Sequence, residues 1–103
     1  MEKTFQDRFG RTIRLTEERS AHILEHYEME GQLDKIEEVL QEPNVIIRSQ
    51  RDPNVHLYQK HYPTTPVTEK YLLVAVKVEE HDAFILTASF TDTIKKGERI
   101  WEK

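Results

Sequence analysis

Apolar residues recur along this chain with two different periods. From Glu17 to about Tyr27 they follow helical spacing, with Ile23, Leu24 and Tyr27 on one stripe. Thr16 suits the N-cap of that helix, and Glu17-Glu18 suit the positive end of its dipole. Gly31 separates it from a second helix over about residues 32–41, where Leu33, Ile36, Val39 and Leu40 form the stripe and Pro43 ends it. Beyond Pro43 the period becomes two. Asn44–Ser49, Val55–Tyr62, Lys70–Glu79 and Ala83–Thr91 read as strands rich in β-branched and aromatic residues. The joining segments are turn chemistry: Gln50 to Asn54, Pro63 to Pro66, and Glu80-His81-Asp82.

Short connections between successive strands predict an antiparallel meander. The expected fold class is α+β: an N-terminal arm or hairpin over residues 4–15, then two helices packed on a four-stranded antiparallel sheet. The tail is expected to form one helical turn near Ile94-Lys95-Lys96 and then extend through Ile100 and Trp101. One face of such a sheet is covered and the other stays partly open. Alternation offers an open polar face made of Tyr58, Lys60, Lys77, Thr87, Ser89 and Thr91. In the last strand it sets Phe84, Leu86, Ala88 and Phe90 against Ala83, Ile85, Thr87, Ser89 and Thr91.

At 103 residues there is room for a single domain, residues 1–103. No apolar run approaches the roughly 20 residues of a membrane span, and the first residues lack a signal peptide's apolar core. No membrane association is expected, and the cytoplasm is the expected location. Zero cysteines exclude disulfides, thiol nucleophiles and thiolate metal sites. The net charge of −4 hides a split. Residues 17–42 hold nine acids against two bases, −7, whereas residues 45–62 hold Arg48, Arg51 and Lys60 against Asp52, +2. A basic strand pair on an acidic chain suits contact with a phosphate.

Two constellations carry candidate chemistry. His22 and His26 lie four apart on one helical face. With no third ligand marked and Ile23 where H-E-x-x-H needs its glutamate, a metal is not expected. Acid–base work by His22 is the functional reading, and a half-buried helix residue is the plain one. The second constellation is Arg48-Ser49-Gln50-Arg51-Asp52-Pro53-Asn54, where arginines mounted on a tight turn suit bidentate phosphate contact. Tyr58, Lys60, His61 and Tyr62 add donors and aromatics, the mixture that meets RNA; ordinary cross-strand pairing is the commoner explanation of any one of them. Lys77 interrupts an apolar strand, so it stands on an exposed face or in a site. Lys95-Lys96 reads as a surface turn. Phosphate-loop, serine-triad and paired-carboxylate patterns are missing, which argues against nucleoside triphosphatases, serine hydrolases and glycosidases.

The order of these motifs resembles a known family. Glu18 to His26 is a histidine-bearing helix, the next helix ends in Glu42-Pro43, and Val45-Ile46-Ile47-Arg48-Ser49-x-Arg51-Asp52-Pro53 follows. The strand ending Val76-Lys77-Val78 and the run Phe84 to Thr91, then Asp92-x-Ile94-Lys95-Lys96-Gly97, complete it. Over roughly residues 12–100 the chain resembles the small phage-associated nucleases of the barnase–EndoU–colicin–RelE superfold. That resemblance implies metal-independent RNA cleavage without a cofactor. It implies His22 as acid or base, Arg48 and Arg51 on the phosphate, Tyr58 and Lys77 orienting it or moving protons, and Thr87 or Thr91 binding it, with Lys60 beside them. The implied partners are RNA and an antitoxin-like protein covering the basic face. A non-catalytic relative that binds RNA or protein with the same face is the alternative, and a purely structural domain the third. The oligomeric state is not readable from the sequence.

Overall fold

The computed structural model describes residues 2–103. In chain order it has β1 (Lys3–Gln6), β2 (Thr12–Leu15), α1 (Glu17–Leu24), a 3-10 turn (Tyr27–Met29), α2 (Asp34–Gln41), β3 (Val45–Arg48), β4 (Val55–Tyr62), β5 (Lys70–Glu79), β6 (Asp82–Thr91) and β7 (Glu98–Glu102). The Thr16 hydroxyl caps α1 by accepting from the Arg19 N–H at 3.1 Å. In α2, Ile36, Val39 and Leu40 are fully buried, while Glu37 and Glu38 face outward. Tyr62 ties α2 to β4. Its hydroxyl donates to Glu38 Oε1 at 2.6 Å, and Lys35 stands 5.0 Å over its ring.

Among the described residues the fold is α+β with two α-helices, but the sheet has seven strands in the order β1-β2-β6-β5-β4-β3-β7. The expectation of a four-stranded antiparallel sheet is therefore corrected. The antiparallel meander β3-β4-β5-β6 forms as expected, and both ends of the chain add to it. A two-stranded hairpin is marginal alone, and β2 carries Ile13 and Leu15, which must be buried. The β1–β2 hairpin therefore docks beside β6, where β2 runs parallel to it through the single pair Arg14↔Phe84, and this makes the sheet mixed. At the other edge the tail pairs with β3 as β7. Residues 92–97 form no helical turn; they lead from β6 across to β7.

Ile23, Met29, Ile36, Val39 and Leu40 from the helical layer pack with Ile46, Tyr58, Leu72, Val74 and Val76 on one face of the sheet. A smaller apolar cluster, Val55, Leu73 and Ala75 with Leu57 and Leu86, lies on the other face. The expected alternation of β6 breaks at Leu86. Ala75 pairs with Thr87 while Val76 pairs with Ile85, so Leu86 is a bulge. The extra residue shifts the phase by one, which puts Ala83 and Ile85 in the core with Ala88. Among the described residues no helix is long and apolar enough to cross a membrane.

Candidate functional site

Strand register sorts the open face into rows. His61, Tyr71 and Thr91 form one; Gln59, Leu73 and Ser89 the next; Leu57, Ala75 and Thr87 a third; Val55, Lys77 and Phe84 a fourth. The segment 92–97 is a strap over this face. It is fastened by Gln59, whose side chain is wholly buried. The Gln59 amide nitrogen donates to Thr91 Oγ1 at 3.0 Å and to the Thr93 carbonyl at 3.1 Å, and its carbonyl accepts the Lys95 N–H at 2.8 Å. Buried amides need such partners, and here two of the three are strap backbone. The strap then presses onto β3 at Gly97, with φ +146°. A Cβ there would lie 2.5 Å from the Arg48 carbonyl oxygen and 2.7 Å from Ile47 Cγ2, so only glycine fits.

Strap and sheet enclose an open groove of about 520 Å³. Its floor is Leu57, Leu73 and Ala75, one wall is Thr87, Ser89 and Thr91, the other carries Lys95 and Lys96, and the turn Ser49-Gln50-Arg51 closes one end. Among the described residues the lining holds three cations and no carboxylate, histidine or tyrosine. The side chains of Arg51, Lys95 and Lys96 have no hydrogen-bond or ion-pair partner among the described residues. Free cations on an acidic chain, over an apolar floor and a row of hydroxyls, suit an anion with an apolar part.

The turn holding Arg51 is braced from both sides. Lys77 ion-pairs with Asp52, and Asp52 Oδ1 also accepts the Asn54 N–H at 2.9 Å. The Lys77 ammonium, helped by that backbone donor, holds the Asp52 carboxyl below its ordinary range. Opposite, the Arg48 guanidinium donates to the Pro53 carbonyl at 3.0 Å and to Glu98 Oε1 at 2.8 Å.

Of the eight residues expected in the site, the groove brings together Arg51, Thr87 and Thr91. The Thr91 hydroxyl is committed, since it donates to the Thr93 carbonyl at 3.1 Å while accepting from Gln59. Lys77 shares the open face but faces Asp52, so it braces the turn. Four are elsewhere. Tyr58 and Lys60 alternate onto the helical face, which corrects their place in the open polar face, because β4 puts Val55, Leu57, Gln59 and His61 on the open side. Tyr58 is fully buried and donates to Asp7 Oδ2 at 2.6 Å; burial and that carboxylate push its hydroxyl pKa far up. Lys60 donates to the Glu42 carbonyl at 3.2 Å, at the C-terminus of α2. Arg48 pairs with His56 across β3–β4. His22 sits half-buried on α1, edge-on to His26 at 6.2 Å, and lines no part of the groove.

The sequence reading passed over Gln59 and took Lys95-Lys96 for a plain surface turn. One signal was present: Gln59 is a polar residue two and four positions from Leu57 and Val55, on the side of β4 that alternation makes apolar at its start. The chain matches no family model, no curated protein and no solved structure. The nuclease resemblance therefore rests on the sequence motifs alone.

Proposed function

We propose that the open-face groove holds a single strand of RNA by its phosphates, and that the chain is a metal-independent endoribonuclease of toxin or phage-linked type. One observation carries this reading: three cations without partners converge on a groove free of acids, in a chain of net charge −4. In the proposed reaction the RNA 2′-oxygen attacks the adjacent phosphorus and loses its proton to water. The bond from phosphorus to the 5′-oxygen breaks, and the ammonium of Lys95 or Lys96 protonates the leaving oxygen. Arg51 and the second lysine stabilise the charge of the phosphorane. The products are a 2′,3′-cyclic phosphate and a 5′-hydroxyl. No role falls to His22, which lines no part of this groove.

The second reading, a non-catalytic RNA-binding relative, is favoured by a different observation: no lining group ordinarily titrates near neutrality. An antitoxin-like protein covering the groove is the proposed partner, and the cytoplasm the proposed location. Purified protein incubated with total RNA in EDTA, beside Arg51→Ala, tests both readings. Arg51-dependent loss of full-length RNA supports the nuclease. Intact RNA with Arg51-dependent binding supports the binding module, and no binding overturns both.

A further inference from the structure

The lysines of the strap have no contact of their own that fixes them. Lys95 and Lys96 are exposed, and the segment that carries them runs over the sheet without joining it. Their placement descends from Gln59 on one side and from Gly97, pressed onto β3, on the other. The Gln59 amide is the only side chain among the described residues that hydrogen-bonds strap backbone at two separate residues, Thr93 and Lys95. It also ties the strap to Thr91 at the end of β6. On β4, Gln59 lies four residues from Val55, whose carbonyl receives the Ser49 N–H at the foot of the Arg51 turn. Four residues of strand span about 13 Å. The strap lysines and Arg51 thus line one groove from two different mounts, the strap and the turn after β3.

We infer that Gln59 is the positioning residue of the strap, holding Lys95 and Lys96 over the groove so that they take a second phosphate of the strand bound at Arg51. This rests on the RNA-binding reading above, and it assigns a role to a side chain that no substrate touches.

The test is RNA binding across a salt series, read as the slope of log affinity against log salt for a single-stranded RNA oligonucleotide whose 2′-O-methyl groups block cleavage. Each neutralised phosphate on a single strand contributes about 0.7 to that slope. The paired variant Lys95→Gln/Lys96→Gln should lower the slope, and Gln59→Leu should lower it by a similar amount while leaving both lysines in the sequence. Joining Gln59→Leu to the lysine pair should add little, because both remove the same phosphate contact. Arg51→Ala should lower the slope in either background. A buried residue with only a structural role would change stability and leave the slope alone. If Gln59→Leu does not fold, Gln59→Glu, which keeps an acceptor for the Lys95 N–H and loses both donors, is read in the same way. An unchanged slope in the folded Gln59 variant overturns the inference while the RNA reading stands.

If the unaltered protein binds no oligonucleotide, the RNA reading fails and inorganic phosphate becomes the probe. Amide resonances of Lys95 and Lys96 that shift with phosphate in the unaltered protein, and not in the Gln59 variant, still support the role of Gln59. Equal shifts in both, or none in either, overturn it.

Discussion

The two faces of one sheet treat their polar groups in opposite ways. On the helical face most of those at the sheet are committed to the fold, with the buried Arg11 Nη1 and Gln32 Oε1 as exceptions. Asp7, whose side chain is fully buried, accepts from the Phe9 and Arg11 N–H groups and from the Tyr58 hydroxyl. Lys60 caps a helix and Arg48 braces a turn. On the open face, Gln59 is spent on the strap and Lys77 on Asp52, and what those two hold in place is left over: Arg51, Lys95 and Lys96. A polar residue in a strand is therefore weak evidence for a site. A charged residue left unpaired while its neighbours are committed to holding it is better evidence.

The contrast breaks hardest at Asp7. Asp7→Ala strands the Tyr58 hydroxyl and two backbone donors, and should cost about 3 kcal/mol in urea unfolding. It should leave phosphate binding intact in the molecules that remain folded. Gly97→Ala comes next. With its Cβ driven into β3, it should cost about 2 kcal/mol and also weaken RNA binding, because the strap must lift. An equal loss of RNA binding in Asp7→Ala, measured under folding conditions, would erase the distinction between the faces.

Acid should act on the helical face first. His56 is half-buried beside Arg11 and Arg48, and burial above all, then those two cations, hold its imidazole below the ordinary 6.5. The unfolded chain therefore takes up this proton before the folded one does. Stability is fully present above about pH 6.5, falls as pH drops through that value, and levels off below the folded value. His56→Gln should flatten this part of a melting-temperature profile between neutral and mildly acid pH, and an unchanged profile would contradict it. Asp52 acts lower. Its depressed carboxyl supports the fold above its ordinary 3.8, and this support is lost as pH falls toward the lower folded value. The smallest effect on stability belongs to Arg51→Ala, which should change it by under about 0.5 kcal/mol yet reduce RNA affinity clearly. A large stability loss there would mean that Arg51 is structural after all.

The reach of the sequence follows from the same physics. Val55–Tyr62 and Lys70–Glu79 show their extents because strand length and turn chemistry are local. The edges were not legible, because recruitment of Thr12–Leu15 and Glu98–Glu102 depends on which apolar residues elsewhere need cover. Nor was the bulge at Leu86, since one inserted residue leaves the composition of a strand unchanged while reversing its phase. The site suffered most. Alternation separates Tyr58 and Lys60 from Gln59 on β4, but which set faces the helices depends on contacts distant in sequence. Arg51 was found because its turn is local, and the strap lysines were missed because their place is fixed by a partner 36 residues away.

Pairing of β7 with β3 also has a kinetic consequence. The central meander closes through neighbours in sequence, whereas Glu98 meets Arg48 across 50 residues. Contacts of that separation form late, after the chain entropy between them has been surrendered. Until that edge closes, nothing presses the strap onto Ile47 and the cation wall does not exist. A folding intermediate holding only the meander would already have its apolar floor but no grip on an anion, so the capacity to bind should emerge in refolding as the last phase, after the sheet signal has mostly recovered.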